Sequence, residues 1–153
     1  MRMIAMVCAV VLLLTPPLHA GEGINVGISG TCVSVAIGGK PVRCNAKPFV
    51  LYTALPNGRV LYNVALSDGR VMAFVGESDK QPRPEEYWLY LTRVRIAQGP
   101  QNVSSDVAGT CRMYQTSDGS VVHRILCEAT DLSGSKFLLD FRGNGQRVEM
   151  LPF

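Results

Sequence analysis

Residues 50–75 have the sequence VLYTALPNGRVLYNVALSDGRVMAFV, which is the clearest pattern of alternating strands and turns in the chain. It contains three runs rich in β-branched and aromatic residues, separated by Pro56-Asn57-Gly58 and by Ser67-Asp68-Gly69. Asn-Gly and Asp-Gly pairs adopt the positive φ angles of tight hairpin turns at low steric cost. The stretch therefore predicts three consecutive antiparallel strands, at residues 50–55, 59–66 and 70–75.

Alternation along the second of these strands predicts which of its side chains are buried. Successive side chains of a strand point to opposite faces of the sheet. One face carries Val60, Tyr62, Val64 and Leu66, and we expect it to pack in the core.

The longest β-type run covers residues 87–97, with the sequence YWLYLTRVRIA. Strict alternation places Trp88 and Tyr90 on one face, and we expect these aromatic side chains to pack in the core. On the opposite face, Arg93 and Arg95 cannot join them in a stacking platform for single-stranded nucleic acid. That opposite face carries Tyr87, Leu89, Leu91, Arg93 and Arg95.

Shorter β-type runs follow at residues 110–115, 121–127, 137–141 and 147–151, and no helix of three turns is predicted after residue 20. The fold class is therefore all-β. Short antiparallel strands joined by hairpins are typical of a small β-barrel or of a β-sandwich, and the strand count is compatible with both.

Two segments of the chain, 30–76 and 109–153, share short motifs in the same order. Gly30-Thr31-Cys32 recurs as Gly109-Thr110-Cys111, and Cys44-Asn45-Ala46 recurs as Cys127-Glu128-Ala129. Ordered matches are typical of an internal duplication, and the alternative is that hairpin chemistry repeats itself. In either case we expect residues 21–153 to form a single domain.

Residues 1–20 have the order of parts of a secretory signal peptide. Arg2 supplies the positive end, residues 3–14 are apolar, and residues 15–20, with a proline pair, break the helix before small residues at the predicted cut after Ala20. An apolar run of about 12 residues is well short of the roughly 20 needed to span a bilayer. We therefore expect cleavage after Ala20, a periplasmic or secreted location, and no membrane insertion of the processed chain.

Four cysteines follow the leader, and an even number in an exported chain indicates two disulfides. Zinc binding is disfavoured because the cysteines form no close pairs and only one histidine accompanies them. Of the three possible pairings, we predict Cys32–Cys44 and Cys111–Cys127. Each disulfide would then cross-link two β-type runs that are separated by one turn. By loop closure, each bond would contribute about 3 kcal/mol to the stability of the fold.

The chain lacks the sequence features of an enzyme. His123 is the only imidazole after the leader, and alternation places it with Val121 and Ile125 as an interior or semi-buried residue. No nucleophile, phosphate-loop or dinucleotide motif occurs. We therefore predict no catalytic residues, no cofactor and no metal.

Charge and loop length suggest where a partner binds. The chain has 15 Lys and Arg residues against 12 Asp and Glu residues, a surplus too small to indicate a nucleic acid partner. Two polar connectors, 76–86 and 98–106, are long for hairpin turns. Since such loops are often functional, Asp79, Lys80 and Arg83 in the first connector are the candidate binding residues.

The leading hypothesis is a non-enzymatic exported binding or inhibitor-like protein that recognises a protein or another envelope component through loops. The alternative is a small-molecule carrier whose barrel interior holds a cavity lined by Trp88, Tyr90 and Phe137. A hydrolase that uses His123 as a base is the third hypothesis. The sequence leaves the oligomeric state open.

Overall fold

The computed structural model describes residues 21–153, and the predicted signal peptide lies outside the described residues. The described part forms ten β-strands in one antiparallel sheet and contains no helix. The strands are β1 (Ile24–Ile37), β2 (Lys40–Pro41), β3 (Phe49–Ala54), β4 (Val60–Ala65), β5 (Val71–Arg83), β6 (Glu86–Gln98), β7 (Gln101–Gln115), β8 (Val122–Asp131), β9 (Lys136–Gly143) and β10 (Glu149–Leu151).

Eight of these strands close into a barrel. Their order is β1-β3-β4-β5-β6-β7-β8-β9, and β9 pairs again with β1, from Gly30–Gly143 to Ala36–Leu138. The short strands β2 and β10 pair with the two ends of β1. The structure confirms the all-β antiparallel class and decides for the barrel over the sandwich.

The predicted meander of three strands is confirmed as β3, β4 and β5. Gly58 and Gly69 occupy the two turns with φ angles of 84° and 85°, a region that favours glycine. The predicted inward face of β4 is buried as well. Its side chains Val60, Tyr62, Val64 and Leu66 are all at most 4% exposed.

Side chains fill the barrel interior. Tyr62 and Phe74 enter from the neighbouring strands β4 and β5, and Phe141 enters from β9. An eight-stranded barrel is just wide enough for side chains to fill, so these residues form a packed core. Other fully buried members of this core are Leu66, Met72, Leu89, Ile125 and Leu139.

Both predicted disulfides are present with the predicted pairing. Cys111 and Cys127 lie directly opposite each other in β7 and β8, are fully buried, and have Cα atoms 3.9 Å apart. Cys32 of β1 bonds Cys44 across a Cα–Cα distance of 6.3 Å. Cys44 lies between β2 and β3 and forms a β-bridge with Leu66. One bond therefore joins two paired strands, and the other joins a strand to the segment after its short hairpin.

The prediction of long polar loops at 76–86 and 98–106 is wrong. β5 continues to Arg83 and β6 begins at Glu86, while β6 and β7 are separated by only two residues. β4 pairs with β5 only as far as Val60–Gly76, so residues 77–83 form strand pairs with β6 alone. A strand segment that is exposed to solvent on both faces can be polar throughout. Its unpaired edge also tolerates a proline at position 82.

A β-bulge in β6 reverses the predicted faces of its first half. Leu89 and Leu91 are buried, whereas Trp88 and Tyr90 lie on the outer face, with Tyr90 38% exposed. In the pairing with β5, Gly76 lies opposite Leu91 and Val75 opposite Arg93, so Thr92 is an extra residue of β6 that turns the following side chains over. The two arginines of β6 therefore face outward like Trp88 and Tyr90. The expectation that the aromatic and basic side chains occupy opposite faces is wrong.

A second bulge accounts for the position of His123. Tyr114 pairs with Arg124 and Gln115 pairs with Val122, so His123 is the extra residue of β8. Val122 is buried and His123 is exposed. The prediction of an interior or semi-buried histidine is wrong, because the bulge interrupts the alternation on which it depended.

Candidate functional site

Trp88 is the centre of a cluster on the outer face of β5, β6 and β7. The sheet register places Lys80 and Arg112 on either side of it. Lys80 Nζ lies 5.1 Å from the centroid of the Trp88 ring, and Arg112 Cζ lies 4.2 Å from it. At such distances a cation is attracted by the negative face of an aromatic ring. Two positive charges are therefore held against one indole.

Glu86 fixes the orientation of Trp88 through charge-assisted hydrogen bonds. Trp88 Nε1 donates to Glu86 Oε1 at 2.6 Å, and the Arg83 guanidinium donates to Glu86 Oε2 at 2.8 Å. Glu86 is only 9% exposed. The hydrogen bonds from Arg83 and Trp88 hold the pKa of Glu86 below its usual value. Its carboxylate is therefore charged at neutral pH and bonded on both oxygens, which restricts the indole to one orientation.

Further aromatic and basic side chains surround the cluster. Tyr114 is the β7 partner of Glu86, and Tyr90 follows Trp88 by two residues in β6. On β8, Arg124 donates to both carboxylate oxygens of Asp140 at 2.9 Å. We call this surface the Trp88 face, and its outward side chains are Lys80, Arg83, Glu86, Trp88, Tyr90, Arg112, Tyr114, Arg124 and Asp140.

Positive charge exceeds negative charge on the Trp88 face. Its two carboxylates are each bonded to an arginine, Arg83 or Arg124. Lys80 and Arg112 form no ion pair with any residue of the described part of the chain. The face therefore presents two cations that take part in no ion pair within the described residues, beside an aromatic ring.

The structure separates the three predicted binding residues. Lys80 and Arg83 lie on the Trp88 face. Asp79 occupies the opposite face of β5, where its Oδ2 accepts a hydrogen bond of 2.6 Å from the Tyr87 hydroxyl. Because adjacent residues of a strand point to opposite sides, Asp79 and Lys80 cannot contact the same ligand surface.

The residues named by the two alternative hypotheses are not brought together. Trp88 and Tyr90 face outward while Phe137 is buried in the core, so the three line no common cavity among residues 21–153. His123 takes part in none of the side-chain hydrogen bonds or ion pairs found in that range. The carrier and hydrolase hypotheses therefore gain no support from this geometry.

Sequence reasoning missed Arg112, Tyr114 and Glu86 as members of the Trp88 face. Their signal is alternation: Glu86 and Trp88 share one face of β6, and Arg112 and Tyr114 share one face of β7. The signal was hidden because strict alternation along β6 takes no account of the bulge and therefore assigns Trp88 to the same face as Val94. Arg112 lies opposite Trp88 only in the observed register of β6 and β7. A single sequence does not give that register.

Comparisons of this chain with protein-family models, curated proteins and solved structures find no match. Among residues 21–153 no helix has the length and apolar character needed to cross a membrane. Within the same range no three histidine, cysteine or acidic side chains are grouped so that they could hold a metal ion. Function is therefore inferred from the geometry of the barrel surface.

Proposed function

We propose that this protein is an exported, non-enzymatic binding protein whose Trp88 face recognises an acidic surface of a protein partner. The observation that supports the proposal is the placement of Lys80 and Arg112 against the Trp88 ring, with neither cation in an ion pair within the described residues. A carboxylate of the partner would supply the missing negative charge.

The side chains of the Trp88 face are those that contribute most to protein interfaces. Tryptophan, tyrosine and arginine are enriched among residues whose removal weakens binding most. Arg112 and Trp88 are already stacked, and Glu86 fixes the indole, so little side-chain freedom remains to be lost on binding. A rigid β-sheet surface also makes a precise contact without ordering a loop. The proposed binding surface is therefore the Trp88 face of the sheet and not a loop.

Export is supported by the cysteines. The two disulfides are of the kind that form and persist in oxidising compartments such as the periplasm or the extracellular space. The predicted leader at residues 1–20 is in accord with this location. Action without catalysis is supported by the exposed His123, the only imidazole available after the leader, which has no bonded neighbour among the described side chains.

The test compares capture of an envelope protein by matched surface variants. Wild type, Trp88→Ala, Arg112→Ala and Arg95→Ala are immobilised and exposed to the same extract. Arg95→Ala is the control, because it removes the same charge from the outer face of β6 beyond the bulge. We expect Trp88→Ala and Arg112→Ala each to weaken binding of the partner by about 2 kcal/mol, while Arg95→Ala leaves it unchanged.

The identity of the bound material decides between this proposal and its rivals. We expect a protein whose cross-linked segment is acidic and whose binding weakens as salt is added. Equal capture by wild type and Trp88→Ala contradicts the proposal. Capture of nucleic acid or polysaccharide in place of protein also contradicts it, since the outward arginines of β6 would then serve a polyanion.

A further inference from the structure

A pocket opens at the end of the barrel where β5 and β6 extend past β4. Its volume is about 340 Å³, and its lining combines the tyrosines Tyr52 and Tyr87 with Met113, Val122 and Met150. Among the described residues, the lining contains no lysine or arginine. This volume and apolar lining are in the range of small-molecule sites. We call this site the tyrosine pocket.

The aromatic rings of the tyrosine pocket stand at steep angles to each other. The ring centroids of Tyr52 and Tyr87 are 6.3 Å apart with an interplanar angle of 80°. Tyr62 packs behind Tyr52 at 5.3 Å and 69°, fully buried, and thereby fixes the position of the Tyr52 ring. The two half-buried rings meet edge to face and together form one corner of the pocket. The face of an aromatic ring attracts a cationic group.

A negative charge stands beside this corner. The hydroxyl of Tyr87 donates to Asp79 Oδ2 at 2.6 Å. Burial, and next this hydrogen bond, raise the pKa of Tyr87, so its hydroxyl stays protonated and remains the donor. A phenol that donates to a carboxylate has a more electron-rich ring, which strengthens its attraction for a cation.

Neighbouring cations do not neutralise Asp79. Lys80 lies on the opposite face of β5 against Trp88, and Arg83 is bonded to Glu86. Asp79 forms no ion pair with any of the residues that the structure describes. The tyrosine pocket therefore combines a largely apolar lining with an aromatic corner, and the Asp79 carboxylate, which is not itself part of the lining, is bonded to the hydroxyl of the lining residue Tyr87.

From this combination we infer that the tyrosine pocket binds a small organic cation of the alkylammonium class. The charged head lies in the corner of Tyr52 and Tyr87 within reach of the Asp79 carboxylate. The alkyl groups contact the Met113 thioether and the apolar side chains of the lining. An anion is repelled by Asp79, and a neutral ligand of the same shape gains only the apolar contacts.

The test uses two probes of the same shape and different charge. Choline and its neutral isostere 3,3-dimethylbutan-1-ol are titrated into the oxidised, isotope-labelled protein, and amide shifts in two-dimensional NMR spectra report affinity and location. We expect choline to bind about tenfold more tightly than the isostere. The largest shifts are expected at Tyr52, Tyr87 and Met113.

Two variants connect the discrimination to Asp79. Asp79→Asn is expected to reduce the affinity for choline several-fold toward that for the isostere, while the isostere itself binds as before. Asp106→Asn removes an exposed carboxylate from the other end of the barrel and is expected to change neither affinity. Equal affinities of the two probes for wild type, shifts confined to other residues, absence of binding, or an equal loss in both variants each overturn the inference.

Discussion

The two disulfides cross-link regions of different construction. In β7 and β8 the ladder of hydrogen bonds already places Cys111 opposite Cys127, and the bond is buried inside the barrel. The chain around Cys44 lies outside the strands and is held by isolated backbone bonds, such as the 2.9 Å bond from the Ser67 amide to the Arg43 carbonyl. The Cys111–Cys127 disulfide therefore adds to strands that are already hydrogen-bonded. The Cys32–Cys44 disulfide instead holds a segment that has few backbone hydrogen bonds of its own.

This difference separates two contributions that a disulfide makes to stability. The sequence separations of the bonded cysteines are 12 and 16 residues, so loop closure gives the two bonds nearly equal entropic terms. What differs is the packing around the sulfur atoms, since one pair is fully buried and the other is half-buried. A comparison of the two bonds therefore measures packing with the entropy held almost constant.

Removal of the buried bond is expected to have the largest effect. Replacing Cys111 and Cys127 together by alanine loses about 3 kcal/mol of loop-closure stabilisation and a further 1–2 kcal/mol, roughly, for the cavity left in the core. The same replacement at Cys32 and Cys44 loses about 3 kcal/mol. Urea denaturation of the oxidised variants gives both free energies of unfolding. A loss at Cys32 and Cys44 that equals or exceeds the other contradicts this assignment.

The glycine that precedes each disulfide by two residues provides the next comparison. A Cβ added at Gly109 would overlap the carbonyl oxygen of Glu128, and one added at Gly30 would overlap that of Arg142. Each glycine lets two strands of the barrel approach closely. We expect Gly109→Ala and Gly30→Ala each to destabilise the fold by about 1–3 kcal/mol.

The control for these substitutions is Gly21→Ala, whose added methyl group would have no neighbour within 4 Å. Thermal denaturation of the three variants and wild type measures the effect. A normal melting temperature for Gly109→Ala would show that the strands can separate there without cost. The shared close approach gives a physical reason why Gly-Thr-Cys occurs twice, and the internal duplication itself stays a prediction.

The smallest expected effect concerns the turns of the two hairpins. The β7–β8 turn depends on Asp118, which accepts hydrogen bonds from the Ser120 amide, the Ser120 hydroxyl and the Thr116 hydroxyl. These bonds, led by the one from the Ser120 amide, lower the pKa of Asp118 to about 2. The β1–β2 turn is formed by Gly38 and Gly39 at positive φ and has no such carboxylate.

Because the pKa of Asp118 is lowered on folding, its stabilisation is complete above its unfolded pKa and is lost as the pH falls from about 4 to about 2. Asp118→Asn should therefore melt below wild type at neutral pH and approach it at about pH 2. Melting curves across this range test the expectation. Asp106→Asn serves as the charge control, and a gap between Asp118→Asn and wild type that does not shrink on acidification contradicts it.

Local chemistry made much of the fold predictable from the sequence. Gly58 and Gly69 specify their turns through a positive φ angle that other residues rarely adopt, and the alternation around Tyr62 specifies its face. The cysteine pairing followed from the same hairpin pattern. All these features depend on residues close together in the chain.

The sequence could not reveal features that depend on pairing with another strand. The bulge between Leu91 and Arg93 is a property of the register of β6 with its two neighbours β5 and β7, and it moved Trp88 from the predicted core to the surface. Residues 77–83 appear as a loop because strands are expected to have one apolar face, which a hairpin projecting past β4 does not need. The contact of Arg112 with Trp88 requires the same register and was missed for the same reason.

The closure of the barrel sets an order for its assembly. From β4 to β9, each strand pairs with the one before it in the chain, so these pairs form between near neighbours. The first strand instead completes its pairing with the last ones, as in Gly30 with Gly143, and such distant contacts form slowly. We therefore expect the seam between β1 and β9 to form last, with the edges of both strands open to unwanted pairing until then.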